Sequence, residues 1–170
     1  NAPVFIDDTP EPSVIRLKSR TRRWCRRYGL KLLVVDYLQL LQTGSLNSFD
    51  RKITNRENEI AYISRNLKLL ASDIGIPIIA ISQLNREVDN RQGGKPRLSD
   101  LRESGAIEQD ADIVVLMSRD DYYGEAENTV CATINVAKNR TGPTGEFQLV
   151  YEKSQFKFDQ VSLRSAQESF

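Results

Sequence analysis

The chain has 170 residues, the usual size of one domain, and its 24 Lys and Arg almost balance 23 Asp and Glu. A net charge this close to zero gives no general attraction to nucleic acids or membranes, so a charged partner would have to bind a local patch. Two distant cysteines, Cys25 and Cys131, and the absence of histidine disfavour a disulfide framework, a zinc site and a Cys-His nucleophile.

The sequence carries no sign of a membrane span or a signal peptide. No apolar run approaches the roughly 18 residues that a span requires, and the chain opens with an acidic, proline-containing stretch. We therefore expect a soluble, cytoplasmic protein that has no membrane partner. The chain starts without methionine, at an apolar run over residues 3–8 that is typical of a core strand, so we expect further sequence upstream.

The first predicted element is an amphipathic helix that begins after Ser13 and ends at Gly29. Its apolar face has residues at spacings of three and four, namely Val14, Leu17, Thr21, Trp24 and Tyr28. The opposite face is strongly basic and comprises Arg16, Lys18, Arg20, Arg22, Arg23, Arg26 and Arg27. A solvated surface is the simpler interpretation of this basic face, and contact with DNA or with an acidic neighbouring subunit is the alternative.

Two apolar strands and a second helix are predicted next. Residues 30–35 are almost continuously apolar, as expected of a parallel strand covered on both faces, and residues 76–81 repeat the pattern. Between them, residues 42–55 are polar and predict a mobile surface loop, and Thr54 with Glu57 has the spacing of a capping box. The helix that follows ends at a glycine. Its apolar stripe comprises Ile60, Ile63, Leu67, Leu70 and Ile74.

The rest of the chain mixes short helices with strands. Residues 99–109 predict one or two short helices broken at Gly105, and residues 113–117 predict a third buried strand. Residues 130–151 alternate in polarity around a turn at 139–145, which indicates an antiparallel hairpin. The expected fold class is therefore α/β, with a mostly parallel sheet flanked by helices and a C-terminal antiparallel hairpin.

Polar side chains end the two apolar strands, at Asp36 and at Gln83. In open α/β sheets, ligands collect at the carboxyl ends of the strands. Nucleotide-hydrolysing folds place there the aspartate that helps to hold magnesium against the phosphates. An apolar strand followed by Asp also arises by chance, and Asp often starts turns, so this signal is weak by itself.

Four segments together are far more specific. They are DYLQL at 36–40, ISQLNR at 81–86, LSDLRESGAIEQDAD at 98–112 and AKNRTGPTG at 137–145. In this order and spacing, the chain from about Ile6 to about Asp159 resembles the bacterial replicative helicases of the DnaB family. The resemblance implies that residues 1–159 are the C-terminal portion of a RecA-like helicase ATPase domain, a partial RecA-like core, and that residues 160–170 are a tail.

The same resemblance implies a motor that works as a hexameric ring. ATP and Mg²⁺ would bind between adjacent subunits of this homohexamer, single-stranded DNA would pass through the centre, and primase and a helicase loader would be partners. Asp36 resembles the Walker B carboxylate that orders Mg²⁺, through water, and Gln83 resembles the sensor that links the phosphates to DNA-facing loops. Lys138 and Arg140 resemble the pair that reaches the neighbouring subunit's nucleotide, although exposed cations at a strand end are the simpler alternative.

A DNA-binding role is implied for Arg102, Glu103 and Gly105, which match the family's pore loop. An Arg and a glycine with accessible amides suit contact with phosphates of any sequence. An ordinary helix N-terminus would explain the residues before Arg102 but not the glycine break. The loop at 42–55 is a second candidate DNA-facing segment, with Arg51, Lys52 and Arg56 nearby.

The sequence contains no glycine-rich loop of the form G-x-x-x-x-G-K-[ST], whose amides and lysine cradle phosphates. Gly93-Gly94-Lys95 is the nearest match, but Pro96 stands where a hydroxyl should bind magnesium. In the family this loop lies upstream, so we expect the chain alone to be inactive. The alternatives are another RecA-like recombination or repair ATPase, which should lack the block at 102–112, and a truncated non-catalytic module that binds DNA or docks onto a helicase.

Overall fold

The computed structural model describes residues 3–10, 12–44, 55–85, 88, 94–119 and 129–160. The chain divides into two compact units, one formed by residues 1–84 and 101–110 and the other by residues 85–100 and 111–170. Within the part that the structure describes, no helix combines the length and the apolar character needed to cross a membrane.

The first unit contains three helices and a two-stranded sheet. Its elements are α1 (Val14–Tyr28), β1 (Leu33–Val35), α2 (Arg56–Ile74), β2 (Ile78–Ala80) and α3 (Gly105–Asp110). The second unit contains β3 (Ile113–Arg119), β4 (Thr129–Asn139), β5 (Gly145–Glu152) and β6 (Lys157–Gln160). Two 3₁₀ segments, Leu38–Leu40 and Leu98–Ser104, complete the described elements.

The boundaries of α1 confirm the sequence prediction. The Ser13 hydroxyl accepts a hydrogen bond from the Arg16 amide at 3.3 Å, and the helix ends at Gly29. Gly29 has a left-handed conformation with φ of 65°, which glycine adopts without the steric cost that a Cβ imposes. Val14 and Thr21 are the buried positions of the apolar face.

The cap of α2 differs from the predicted capping box. Asn55, not Thr54, is the N-cap residue, and its side-chain oxygen accepts from the Glu57 amide at 3.0 Å. Asn is among the best N-cap residues because its short side chain reaches the free amides of the first turn. The predicted end of α2 is confirmed, because Gly75 forms a left-handed C-cap with φ of 66°.

The core of the first unit lies where α1 and α2 meet the parallel sheet. Its buried residues are Val14, Val35, Leu38, Leu41, Ile60, Ile63 and Leu67. The predicted stripe on α2 is thus confirmed as the main apolar surface, and Leu70 on the same stripe is fully buried. Burial of this stripe, rather than helix propensity, is the principal source of stability for such a helix.

The two predicted parallel strands are confirmed in pairing but not in length or burial. β1 pairs with β2 in parallel, with Leu33 opposite Ile78 and Val35 opposite Ala80. The expectation that both faces are covered is wrong, since Val34 and Ile79 are each 52% exposed. Side chains alternate between the two faces of a strand, and the α1–α2 core covers the face that carries Val35.

The second unit corrects the prediction of a mostly parallel sheet. Its four strands form an antiparallel sheet in the order β3-β4-β5-β6, so most of the described strand pairs are antiparallel. The hairpin of β4 and β5 was predicted, and the third apolar strand exists as β3. Its predicted burial is confirmed on one face only, because Val114 and Leu116 are buried whereas Ile113, Val115 and Met117 are about half exposed. Strand β6 was not predicted from the sequence, and its four residues are all exposed.

The opening apolar run at residues 3–8 is not a strand, which corrects another expectation. Val4 and Ile6 are 76% and 85% exposed, and only Phe5 packs onto α1, with its ring centroid 4.6 Å from that of Tyr28. Asp7 holds the segment in place by pairing with Arg20 and by accepting from the Thr9 hydroxyl at 2.5 Å. Side-chain contacts therefore position this segment, and within the described residues it pairs with no strand.

Several predictions concern residues outside the described ranges. Most of the predicted loop at 42–55 lies there, including Arg51 and Lys52, as does most of the predicted tail at 160–170. At the start of that loop, Gln42 forms an isolated parallel bridge with Ser13.

Truncation of the α2 stripe should destabilise the protein. Leu67 is 5% exposed in the core, so Leu67→Ala should lower the free energy of unfolding by about 2–5 kcal/mol, measured by urea denaturation. Leu69 on the same helix is 54% exposed, and Leu69→Ala should change that free energy by no more than about 0.5 kcal/mol. Equal effects of the two substitutions would contradict the assignment of this core.

Acid should release the opening segment from α1. The hydrogen bond from the Thr9 hydroxyl is the largest cause that holds the pKa of Asp7 below its ordinary value, opposed by partial burial and supported by the Thr9 amide and Arg20. A lowered pKa in the folded state means that the stabilisation is present above the unfolded pKa and is lost as the pH falls through the folded pKa.

Fluorescence of Trp24, the single tryptophan, reports this release because the Phe5 ring lies 5.6 Å from it. The emission should change as the pH falls below the ordinary carboxyl range, and Asp7→Asn should give the acid-form emission already at neutral pH. Asp8→Asn makes the same change of charge and should leave the wild-type titration intact. A wild-type titration that persists in Asp7→Asn would show that another group holds the segment.

Candidate functional site

The carboxyl ends of β1 and β2 meet at one edge of the parallel sheet, as the sequence analysis expected. Asp36 follows β1 directly, and Gln83 lies three residues beyond the end of β2. Main-chain pairing continues past the strands, because the Ile81 amide donates to the Val35 carbonyl at 2.9 Å and the Leu38 amide donates to the Ile81 carbonyl at 2.8 Å. These bonds bring the segments that carry Asp36 and Gln83 together.

Asp36 is suited to a magnesium ion. Its side chain is exposed, and the carboxylate forms no hydrogen bond or ion pair with another residue that the structure describes. Carboxylate oxygen is the donor type that Mg²⁺ prefers, and Mg²⁺ commonly takes one or two protein carboxylates with phosphates and water. Among the residues that the structure describes, no group of three or more His, Cys, Asp or Glu side chains is placed to hold a metal ion.

Gln39 is a residue that the sequence analysis did not single out. Its side-chain amide nitrogen donates to the Ser82 hydroxyl at 2.9 Å and to the Gln83 carbonyl at 3.3 Å. Its side-chain oxygen accepts from the Gln83 amide, also at 3.3 Å. The amide and the carbonyl of Gln83 are therefore both hydrogen-bonded to the Gln39 side chain, whereas the Gln83 side chain is exposed at the sheet edge. The only sequence signal was the position of Gln39 within the DYLQL motif.

Lys138 and Arg140 lie together at the end of β4, in the second unit. Lys138 pairs in register with Val114 of β3, and Arg140 begins the turn into β5. The Arg140 amide donates to the Asp112 carbonyl at 2.9 Å, and its guanidinium lies 3.8 Å from the Asp112 carboxylate. Both side chains of this ion pair are about half exposed, at 51% and 57%. Such pairs contribute roughly 0–1 kcal/mol, so the guanidinium can exchange this partner for another anion.

Asn139 organises the turn that carries Arg140, and the sequence analysis did not identify this role. Its side-chain amide donates to the Pro143 carbonyl at 3.2 Å, and its side-chain oxygen accepts from the Thr141 amide at 3.2 Å. A Cβ on Gly142 would lie 2.8 Å from the Asn139 side-chain nitrogen, so a larger residue at this position would force the hydrogen-bonded Asn139 side chain to shift. An asparagine in a turn is itself a signal for such side-chain to main-chain bonds.

The segment at 98–112 forms two short helices that meet at Gly105, as predicted, but its kink lies at Leu101. The 3₁₀ segment Leu98–Ser104 is kinked at Leu101, where ψ is 17°, and α3 begins directly at Gly105. The side chains of Arg102 and Glu103 lie outside the described parts of the structure, so their predicted role stays a prediction. The far end of α3 is fixed to α2, because the Ser64 hydroxyl donates to the Asp110 carboxylate at 2.9 Å.

The predicted site residues thus form three groups. Asp36 and Gln83 come together at the sheet edge of the first unit, and Gly105 begins α3 in the same unit. Lys138 and Arg140 lie together at the hairpin end in the second unit.

Comparison with known proteins identifies the family. A family model described as the DnaB-like helicase C-terminal domain matches residues 1–160. The chain belongs to the DnaB-like helicase C-terminal domain family. This membership confirms the resemblance seen in the four sequence motifs, and it favours the helicase interpretation over another RecA-like ATPase.

Curated relatives and solved structures agree with the DnaB-like assignment. The chain is 46% identical over 165 residues to the replicative DNA helicase DnaB of Geobacillus stearothermophilus. The aligned residues make up 96% of this chain and 35% of that protein. The replicative DNA helicase DnaC of Bacillus subtilis gives the same identity and coverage. The chain therefore spans about a third of the length of these relatives.

Two solved structures are similar in fold. One is described as a DnaB-like replicative helicase and its interactions with primase. Its TM-score is 0.79 at 41% sequence identity, and the match covers 92% of this chain and 38% of the chain in that structure. The other is described as an ATPase domain. Its TM-score is 0.79 at 40% sequence identity, and the match covers 91% of this chain and 54% of the chain in that structure. Both similarities extend over nearly the whole of this chain.

Proposed function

We propose that this chain is the C-terminal part of the motor domain of an ATP-driven replicative DNA helicase. In this proposal it contributes part of a RecA-like core to a homohexameric ring that translocates on single-stranded DNA. The proposal rests on the edge that β1 and β2 share. Two exposed polar side chains, the carboxylate of Asp36 and the amide of Gln83, follow these neighbouring parallel strands there. Family membership of nearly the whole chain supports it.

Asp36 and Gln83 would have distinct parts in hydrolysis. Asp36 would hold Mg²⁺ through water, and the Gln83 amide would donate to a phosphate oxygen while its carbonyl accepts elsewhere. When bound, Mg²⁺ neutralises negative charge on the phosphates and on the transferring phosphoryl group. Position is the main contribution of such residues, since phosphoryl transfer depends on alignment and electrostatics more than on covalent chemistry.

Lys138 and Arg140 would act on the nucleotide of the neighbouring subunit. Arg140 is exposed at the end of a hairpin whose turn is fixed by Asn139, so the guanidinium is presented outward on a rigid support. A positive charge held near the transferring phosphoryl group stabilises the charge that accumulates there. The weak pairing with Asp112 would be replaced by the stronger interaction with phosphate.

Arg102, Glu103 and Gly105 would contact DNA. Gly105 has no left-handed φ, and a Cβ there would meet no described atom within 4 Å. Neither main-chain conformation nor packing among the described atoms therefore requires glycine at this position. A glycine at a helix start lets a phosphate approach the main-chain amides closely, which suits contact with any DNA sequence.

The remaining partners and the setting follow from the same proposal. Primase is a proposed partner, supported by the similar structure described as a DnaB-like helicase and its interactions with primase. A helicase loader and a cytoplasmic location complete the proposal.

A subunit-mixing experiment tests the nucleotide site. In the helicase polypeptide that contains this chain and an upstream phosphate-binding loop, Asp36→Ala and Arg140→Ala should each lower DNA-stimulated ATP hydrolysis about 100-fold or more. If Arg140 acts on the neighbour's nucleotide, a mixture of the two inactive variants should recover hydrolysis. Recovery is expected because some junctions then combine an intact Asp36 with an intact Arg140.

The controls separate the possible failures. Each variant incubated alone at the same total concentration should stay inactive, and the 170-residue chain alone should show no turnover above that of its Asp36→Ala form. No recovery on mixing, with both variants still assembled into rings, would contradict the role of Arg140 between subunits.

The second candidate is the alternative that the sequence left open, a non-catalytic module that binds DNA or docks onto a helicase. Such a module would bind its partner in the absence of ATP, and the polypeptide that carries it would not hydrolyse ATP under any condition. Hydrolysis that is lost in Asp36→Ala would exclude this second candidate.

Salt dependence of DNA binding tests the DNA-facing segment. If Arg102 contacts one phosphate, Arg102→Ala should weaken binding to all single-stranded sequences alike and reduce the slope of log affinity against log salt by about 0.7. Fluorescence anisotropy with labelled oligonucleotides over a salt series gives both quantities. Lys157→Ala removes an equal charge that is paired with Asp159, and it should leave the slope unchanged. An unchanged slope in Arg102→Ala would exclude the phosphate contact.

A further inference from the structure

We propose that Gln39 is a positioning residue that sets the main chain of Gln83 at the Asp36 edge and thereby aligns the Gln83 side chain for ATP hydrolysis. The inference rests on the proposed function, in which Gln83 contacts the phosphates. Three hydrogen bonds carry it: Gln39 donates to the Ser82 hydroxyl at 2.9 Å and to the Gln83 carbonyl at 3.3 Å, and it accepts from the Gln83 amide at 3.3 Å.

The Gln39 side chain continues the parallel ladder after β1 has ended. The main chain leaves the strand direction at Asp36 and enters the 3₁₀ segment Leu38–Leu40, whereas the chain after β2 runs on through Ile81 to Gln83. A glutamine side chain has the same donor and acceptor groups as a peptide unit. Gln39 therefore supplies the pairing that a further residue of β1 would otherwise provide.

The contact uses both the donor and the acceptor of the glutamine amide, and neither glutamate nor alanine supplies both. Glutamate keeps the oxygen that accepts from the Gln83 amide but loses both donated bonds, and alanine loses all three. Loss of the contact leaves the Gln83 main chain free to shift at an exposed edge, where water can replace the bonds at little cost in stability. The expected effect is therefore on alignment rather than on folding.

The main chain of Gln39 is itself fixed. The Leu40 amide donates to the Tyr37 carbonyl at 3.0 Å, and the guanidinium of Arg56 donates to the Gln39 carbonyl while it pairs with Glu59. Leu38, the residue before Gln39, is 1% exposed in the core. A buried neighbour and a cationic donor on its carbonyl make Gln39 a rigid reference point for Gln83.

Amide exchange tests the contact without reference to activity. In the 170-residue chain, Gln39→Ala should raise the exchange rate of the Gln83 amide about 5-fold or more, measured by NMR, because a bond of about 1 kcal/mol is lost. Gln39→Glu should leave this rate near the wild-type value, since the accepting oxygen remains. Gln155→Ala removes an exposed glutamine amide bonded to Glu152 and should leave Gln83 unaffected.

Steady-state kinetics tests the positioning role in the complete helicase polypeptide. Gln39→Ala should lower kcat for ATP hydrolysis about 10- to 100-fold with KM for ATP within about 2-fold, because alignment is lost while the groups that bind ATP remain. Gln39→Glu should lower kcat less than Gln39→Ala, since one of the three bonds remains. Gln155→Ala should match the wild type in both constants.

The two measurements distinguish failure of the inference from failure of the proposed function. An unchanged Gln83 exchange rate in Gln39→Ala, or a faster rate with kcat unchanged, would overturn the positioning role. A wild-type polypeptide that does not hydrolyse ATP would overturn the proposed function and with it the kinetic role of Gln39. In that case a faster exchange of Gln83 in Gln39→Ala would still establish the contact itself.

Discussion

Parallel hydrogen bonding between β1 and β2 is the constraint on which the candidate site depends. It brings Gln39 and Gln83, 44 positions apart in the chain, within hydrogen-bonding distance. Three-residue strands cannot hold such a pairing alone, and the apolar stripe of α2 packed with Val14 and Val35 supplies the missing stability. Exposure of one sheet face and of the carboxyl edge is compatible with this packing, because the core needs only the other face.

Features set by local patterns could be predicted from the sequence. The bounds of α1, the stripe of α2, the two glycine caps and the β4–β5 hairpin each follow from periodicity and turn chemistry within a few residues. The placement of Asp36 and Gln83 at one edge also followed, because the carboxyl ends of neighbouring parallel strands lie on the same side of a sheet. Each of these features depends on residue types at short range or on a general rule of topology.

Features set by competition between distant parts could not be predicted. Residues 3–8 have the composition of a strand, but composition does not reveal whether a partner strand is at hand. The antiparallel pairing of β3 with β4 is likewise decided by tertiary contacts, since an apolar strand suits either sheet type. The roles of Gln39 and Asn139 depend on which main-chain groups lack other partners, and this becomes visible only once the turns beside them are known.

Helix α2 links two of the candidate functional groups mechanically. Its first residue, Arg56, donates to the main chain of Gln39, and Ser64 further along the same helix binds Asp110 at the end of α3. From Arg56 to Ser64 an α-helix rises about 12 Å. A proline substitution that kinks α2 between these two residues would therefore change both contacts together. Helix α2 thus sets the spacing between the segment that begins at Gly105 and the edge that carries Asp36.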